Sequence, residues 1–386
     1  MKSIITSILL AATFTAAAQD QPDSKSTSSR SVTISIPGKI HVGLVYPLST
    51  NGTHAALDTN NFSLHLIAGV SAAERGPSFA GISNVVVNDV RGSQFAGFSN
   101  HVGKTINGAL FAGFMNTYCG GKGPAFAGFT NVAAGNVAGA QFAGFANVAK
   151  DLTGAQFAGF SNTAKNLKGS QFAGFANVAK DVSISQMAGF INTAKNVKGS
   201  QFAGFINIAK KVKGAQVAGF INIADSSDCP IGIINIIKNG EKSFGLTIDE
   251  NQTSMLSFRS GGKVLYGILG IGYNFQNTDE VYAFEAGLGA HFFQSRSFRV
   301  NAEITSSMLE SFKEGEYMKA TLRAMPALKI TPFLEIFAGP SLNFISTNTT
   351  EGIALTKKTI KEWPGDWDDD FRALYLGYTG GLHFIF

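Results

Sequence analysis

The chain has only two cysteines, Cys119 and Cys229, among 386 residues, which excludes a fold built on a disulfide framework. Charged residues make up 15% of the sequence, and beyond the N-terminal segment no uninterrupted apolar run reaches the length of a transmembrane helix. Metal-ligand spacings such as HExxH or CxxC and phosphate-binding glycine loops are missing too, so no metal or cofactor is predicted. The net charge of +5 is too modest to indicate a nucleic-acid partner.

The N-terminal residues have the pattern of a secretory signal. Lys2 precedes an apolar stretch from residue 4 to residue 14, and Ala16 and Ala18 form an A-x-A cleavage pattern. The sequence therefore predicts a signal peptide over residues 1–18, followed by a polar linker and strand lead-in over residues 19–39.

Glycine is abundant, with 44 residues, and much of it belongs to a repeated phrase, [FMV]-A-G-[FI]-x-N. The copies are spaced by fifteen or sixteen residues, and a degenerate copy covers residues 231–238. Their first residues are Phe79, Phe95, Phe111, Phe126, Phe142, Phe157, Phe172, Met187, Phe202 and Val217. A fixed short period predicts a repeat architecture, here over residues 76–242, with an N-terminal hairpin or cap over residues 40–75.

Two β architectures fit the period. In a β-solenoid each unit is one coil, so Asn147, Asn162 and their equivalents stack as a hydrogen-bonded ladder. In an antiparallel barrel each unit is one membrane strand and its turn, but neither face of QFAGFANVA is cleanly apolar, and all the turns look alike. We favour the solenoid, in which Cys119 and Cys229 lie far beyond disulfide reach.

A column of lysines recurs once per repeat. Because stacked cations repel, the row must be exposed, where it either keeps the protein soluble or binds an anionic glycan or lipopolysaccharide phosphate. These candidate anion contacts are Lys150, Lys165, Lys180, Lys195 and Lys210.

Past residue 242 the phrase stops and strict alternation begins, as in VYAFEAGLGAHFF, where Tyr282, Phe284 and Leu288 oppose Glu285 and His291. The alternation predicts eight antiparallel strands in a β-barrel over residues 243–386. Their predicted ranges are 243–250, 254–260, 263–275, 280–293, 297–308, 317–328, 331–345 and 374–386. The inward charges can pair and fill so narrow a lumen.

The chain ends in YLGYTGGLHFIF, which resembles the C-terminal strand of bacterial outer-membrane β-barrels. The resemblance implies a location in the outer membrane, contact with its lipids, and recognition by the barrel-assembly machinery through Phe386. The short turns then face the periplasm, and strand parity places the repeats on that side. The array resembles the degenerate surface-repeat families of exported bacterial proteins, which imply no biochemical activity.

The long loop between the last two predicted strands contains IKEWPGDWDDDFR. Its Trp363, Trp367, Asp368 and Asp370 are candidate contacts for a sugar or a cation, although aromatic side chains at a membrane interface beside a solvating acidic run give the same pattern.

The fold class predicted is all-β, a solenoid of fifteen-residue repeats followed by an outer-membrane barrel of about eight strands. The function predicted is that of a non-enzymatic cell-envelope scaffold anchored by the barrel. A wide channel, in which the repeats are membrane strands, is the alternative. A third hypothesis is a lipid-modifying enzyme that uses the inward His291 or His383.

Overall fold

The structure is a computed structural model that describes residues 39–312, 315–356, 358–364 and 371–386. The predicted signal peptide and nearly all of the predicted linker lie outside the described residues. Within the described ranges, neither the α-helix nor the 3-10 helix is long and apolar enough to cross a bilayer.

The repeats form a parallel β-solenoid of about 12 turns, which confirms the predicted coil arrangement. Its strands, labelled in chain order, are β1 Ile40–Val45, β2 Leu48–Ser49, β3 Thr59–Asn60, β4 Phe62–Ser71, β5 Ala73–Glu74, β6 Ser78–Ala80, β7 Ser83–Val86, β8 Gln94–Ala96, β9 Ser99–Asn107, β10 Leu110–Ala112, β11 Met115–Lys122, β12 Ala125–Ala127, β13 Thr130–Ala138, β14 Gln141–Ala143, β15 Ala146–Ala158, β16 Ser161–Ala173, β17 Ala176–Val182, β18 Ser185–Ala188, β19 Ile191–Thr193, β20 Asn196–Val197, β21 Ser200–Ala203, β22 Ile206–Ile208, β23 Lys211–Ala218, β24 Ile221–Ala224, β25 Ser226–Ile231 and β26 Ile234–Ile237.

Identical letters of the phrase pair from coil to coil. In β15 and β16, Asn147 pairs with Asn162 and Phe157 with Phe172, both in parallel register. The antiparallel interpretation of the repeats is therefore wrong, because every coil lies in the same orientation as the one before it. The chain comes back to the start of each coil after fifteen or sixteen residues, so a single period sets the register of the whole stack.

Two rows of amides run through the solenoid interior. The predicted Asn ladder is present from Asn84 to Asn235, with amide-to-amide distances of 2.8–3.1 Å. A Gln ladder that the sequence reasoning missed runs beside it from Gln141 to Gln216, at 2.8–3.2 Å. Columns of Ala and of Leu or Val complete the core. Along each ladder, a buried side-chain amide thus donates to the equivalent amide of a neighbouring coil.

The solenoid begins earlier than the sequence suggested. In the region expected to be a hairpin or cap, β1 and β4 pair in parallel, as neighbouring coils do. Only β2 turns back, pairing antiparallel with β1 on its outer edge, and a 3-10 helix, Gly52–Leu57, follows. The first coils escaped recognition because His65 and Gly69 stand where the next coil has Ala80 and Asn84.

The C-terminal part is a closed eight-stranded antiparallel β-barrel, in which β27 pairs with both β28 and β35. Its strands are β27 Lys242–Asp249, β28 Thr253–Gly261, β29 Leu265–Asn274, β30 Tyr282–Phe292, β31 Phe298–Glu310, β32 Tyr317–Thr331, β33 Leu334–Thr347 and β35 Phe371–Ile385. The eight predicted strands are all found. The long connection adds a short helix, α1 Thr350–Ala354, and β34 Thr359–Pro364, which pairs with the first part of β35.

The last coil of the solenoid stacks directly on the barrel. The backbone N–H of Asn235 donates to Ser260 Oγ at 2.9 Å, and its side-chain amide donates to the Ser260 carbonyl at 3.1 Å. Ser260 lies near the end of β28, beside the short turn into β29. The Asn ladder therefore ends on the barrel, at the barrel end that carries the short turns and the C-terminus.

Candidate functional site

A long apolar trough runs along one corner of the solenoid and has a volume of about 1540 Å³. One wall is the row of first residues of the phrase, from Phe79 to Val217, and the floor is made of the Ala and Gly residues that follow them. Among the residues that line it, His65 at the far end has the only polar side chain. The volume exceeds the roughly 300–1,000 Å³ of an ordinary small-molecule pocket.

The floor of the trough explains why the phrase contains glycine. A Cβ on Gly159 would lie 2.1 Å from the carbonyl oxygen of Gly144, and the same distance recurs between Gly174 and Gly159. The backbones of neighbouring coils approach too closely there for any side chain. Because the other floor residue of each phrase is alanine, no floor side chain is larger than a methyl group. The trough therefore stays open along the stack of coils.

The Phe residues of each phrase form two stacked rows. In the first row, which walls the trough, ring centroids from Phe79 to Phe172 are 4.8–4.9 Å apart and the planes lie within 7° of parallel. A second row from Phe98 to Phe220 lies outside the trough with similar spacing. Phe157 in the first row is 36% exposed and Phe160 in the second is 42% exposed. Both rows leave large apolar side chains half-covered.

The structure brings the predicted lysines together as one exposed edge. Lys150, Lys165, Lys180, Lys195 and Lys210 occupy equivalent places in five consecutive coils, where all are exposed. The next column alternates Asp and Asn, with Asn166 donating to Asp151 at 2.5 Å and Asn196 to Asp181 at 2.6 Å. Lys180 also lies 3.8 Å from Asp181. These carboxylates offset part of the cationic charge of the edge.

Of the predicted loop contacts, only Trp363 falls on described residues. It lies on β34, with its ring 6.1 Å from the Phe344 ring and with Lys361 Nζ 5.0 Å from its centroid. Trp367, Asp368 and Asp370 lie outside the described residues. Phe386 directly follows β35, is 67% exposed and stacks on Phe244 at 5.6 Å.

The barrel interior holds paired charges. Glu303 binds Arg259 at 2.8 Å and Arg323 at 2.6 Å, and all three side chains are buried. A second group joins Arg299 to Glu335 at 2.6 Å and to Glu241 at 2.7 Å. Towards the other end, a cavity of about 30 Å³ remains beside the ion pair of the buried Lys319 with the partly buried Asp249. That space holds about one water molecule, so these side chains fill the lumen.

The two inward histidines have different surroundings. His291 Nδ1 lies 2.7 Å from Asn301 Oδ1, and its other ring nitrogen lies 3.4 Å from Arg299 Nη1. His383 packs its ring 4.1 Å from that of Phe337. Neither ring has a serine hydroxyl among the hydrogen-bond partners that the structure gives the described residues.

A buried polar cluster closes the far end of the solenoid. His65 and His41 have ring nitrogens 3.2 Å apart, and Glu74 accepts from Ser63 at 2.7 Å and from Ser71 at 2.6 Å. Burial lowers the pKa of His65 to about 4, with the neighbouring His41 adding to the effect, and burial raises the pKa of Glu74. The cluster favours neutral histidines, because a proton on either ring would be poorly solvated.

No family model matches the chain, and no curated protein or solved structure matches it either. Sequence reasoning found the Lys edge but missed the trough, whose signal was the Ala-Gly pair directly after the first Phe of every phrase.

Proposed function

We propose that this chain is an outer-membrane protein whose barrel anchors the solenoid in the periplasm as a non-enzymatic binding scaffold. The observation that carries the proposal is the outward face of the barrel. Ile271, Ile304, Leu322 and Leu376 are each more than half exposed there, while the opposite face holds buried ion pairs. A soluble protein rarely exposes so large an apolar surface, whereas a membrane barrel requires it.

Aromatic side chains at the two ends of the barrel support the same proposal. Tyr273, Tyr282 and Phe312 cluster near the long loops, with ring centroids 5.5–6.2 Å apart. Phe244 and Phe386 stack near the short turns. Two aromatic belts separated by an aliphatic band are typical of a barrel in a bilayer. Since outer-membrane barrels place their short turns in the periplasm, the solenoid, stacked on that end, belongs there.

The native cysteines allow a test of this topology, because both are free and Cys119 is exposed on the solenoid. We expect a membrane-impermeant maleimide to label Cys119 only after the outer membrane is permeabilised. The matched control is Thr350→Cys in a chain with Cys119→Ser and Cys229→Ser, since Thr350 lies in the long loop and is exposed. This control should react on intact cells. Labelling of Cys119 on intact cells would place the solenoid outside and contradict the proposal.

A channel is not part of the proposal. The filled lumen supports a closed barrel, so we expect no stable conductance steps in planar bilayers. We also expect the lipid composition of cells to be unchanged on expression, as fits a protein without enzymatic activity. Binding of a glycan or lipopolysaccharide phosphate by the Lys edge stays a prediction, which the substitution of Lys165, Lys180 and Lys195 by Gln would test.

A further inference from the structure

We propose that the trough binds acyl chains of membrane phospholipid and opens onto the lipid-facing wall of the barrel. This inference rests on the proposed function, since it takes the barrel wall to lie in a bilayer. The inference names the ligand class of the scaffold, phospholipid acyl chains, and the route by which they enter the trough, along the barrel wall.

The first argument is the shape and chemistry of the trough. Its wall is mostly aromatic and its floor is methyl groups and backbone, without a polar side chain along the coils from Phe79 to Val217. Ten wall positions at about 4.8 Å per coil span roughly 43 Å. One leaflet of a bilayer has acyl chains of roughly 15 Å, half of a hydrocarbon core of about 30 Å, so the trough accommodates extended chains lengthwise.

The stacking of the Phe rings favours an acyl chain over a sugar chain as the ligand of the trough. Carbohydrate binds to the flat face of an aromatic ring and needs polar groups for its hydroxyls. Here the rings of Phe142, Phe157 and Phe172 stack on one another with centroids 4.8–4.9 Å apart, so each ring covers part of the faces of its neighbours and leaves less of them for a sugar. An apolar trough lined by stacked rings suits methylene groups and leaves sugar hydroxyls without partners.

The second argument is continuity between the trough and the barrel. The large trough ends at Val217, and a further cavity of about 280 Å³ begins at the next two residues of that phrase, Ala218 and Gly219. It continues over Gly232 and Ile233 in the last coil. The same apolar floor thus runs from one cavity into the next.

The far side of this second cavity is the barrel itself. It is lined by Ala286, Gly287 and Leu288 of β30. Leu288 is 40% exposed and lies on the outward face, opposite the buried Glu285. The last coil and the barrel are in close contact at this junction, since a Cβ on Gly267 would lie 2.1 Å from the carbonyl oxygens of Gly232 and Ile233. A chain leaving the trough therefore meets the surface that we propose contacts lipid.

Photocrosslinking in living cells tests the inference. The photoreactive residue p-benzoylphenylalanine would replace Phe157 in the trough wall, Phe160 in the second Phe row, or Leu322 on the outward barrel face. Phe157 and Phe160 are a matched pair, because both rings belong to stacked rows in the same coil and have similar exposure. Adducts on the purified protein would be identified by mass spectrometry.

We expect phospholipid adducts at Phe157 and Leu322, and at least a fivefold lower yield at Phe160. Adducts at Leu322 without any at Phe157 would overturn the acyl-chain trough and leave the outer-membrane proposal standing. Equal yields at Phe157 and Phe160 would also overturn it, since lipid would then coat the solenoid without using the trough. Absence of lipid at Leu322 would overturn the proposed function, and a saccharide adduct at Phe157 would overturn the ligand class.

A second experiment tests the entry route. Ala286→Phe would plug the junction, while Ala290→Phe, on the same outward face of β30 but outside the cavity, is the control. With the photoreactive residue at position 157, we expect the plug to lower the lipid adduct several-fold and the control to leave it unchanged. Heat-modifiable migration on gels shows that each barrel has folded. An unchanged adduct in the folded Ala286→Phe protein would refute entry along the barrel wall.

Discussion

Removing one amide from the Asn ladder should open the solenoid locally. The side-chain amide of Asn162 donates to Asn177 Oδ1 at 3.0 Å and to the Phe172 carbonyl at 2.7 Å, and its oxygen accepts from Asn147 at 3.0 Å. Asn162→Ala removes this donor from one buried acceptor, Asn177 Oδ1, and from one part-buried acceptor, the Phe172 carbonyl, whereas Asn147 keeps its 2.7 Å bond to the Phe157 carbonyl. At about 1–3 kcal/mol for each unsatisfied group, the loss is about 2–6 kcal/mol.

Hydrogen exchange measured by mass spectrometry shows which coils lose stability in Asn162→Ala. Because the solenoid opens in local units and each 1.4 kcal/mol is about a factor of ten, amides over residues 161–177 should exchange at least about thirtyfold faster in Asn162→Ala. The control is Thr163→Ala, an exposed change in the same strand that should stay within about 0.5 kcal/mol of wild type. Equal protection in both variants would refute the view that the ladder stabilises the coils.

Three further predictions concern the barrel, the far end and the C-terminus. Glu303→Ala leaves the guanidinium groups of Arg259 and Arg323 buried without their shared carboxylate, and should lower the free energy of unfolding of the barrel by about 3–5 kcal/mol. On gels, the heat-modifiable folded form should then be lost at a lower temperature. An unchanged temperature would contradict it. The pKa of His65 is about 4 in the folded protein and about 6.5 in the unfolded chain, so the neutral ring contributes fully to stability above about pH 6.5. This contribution falls, by at most about 3 kcal/mol, as the pH drops to about 4. Hydrogen exchange in β1 and β4 should therefore speed up as the pH falls over that range, and exchange in His65→Gln should depend less on pH than exchange in wild type. An equal pH dependence in the two proteins would show that His65 is not the group responsible. Phe386→Ala should slow barrel assembly in a pulse-chase experiment, because the resemblance to outer-membrane barrels predicts that the assembly machinery recognises this exposed terminal aromatic. Normal assembly kinetics would exclude that role.

The periodic parts of the fold could be predicted from the sequence. A repeat of fifteen residues fixed the coil and the Asn ladder, since identical residues must stack when each unit is equivalent. Strict alternation fixed all eight barrel strands, because inward and outward faces differ so sharply in polarity. In both cases a long-range contact was encoded as a local period.

Features without a period escaped prediction. The first coils were missed because His65 and Gly69 replace the repeated Ala and Asn. Helix α1 and β34 lie inside a long connection whose residues carry no alternation. The trough depends on how far apart neighbouring backbones lie at Gly159, and that distance follows from the cross-section of the coil, which no spacing of letters specifies.

The amide and Phe rows of the solenoid are the same devices that hold together an amyloid fibril, where identical side chains stack at every rung without limit. This molecule stops at about 12 rungs because both ends are closed by something that is not another rung. At one end β2 pairs with the outer edge of β1, and at the other end the carbonyl of Ser260 in the barrel accepts a hydrogen bond from Asn235, the last amide of the ladder. At these two places in the described residues, the edge that could pair with a second copy of the chain is already taken, which favours a single finite molecule over a fibre.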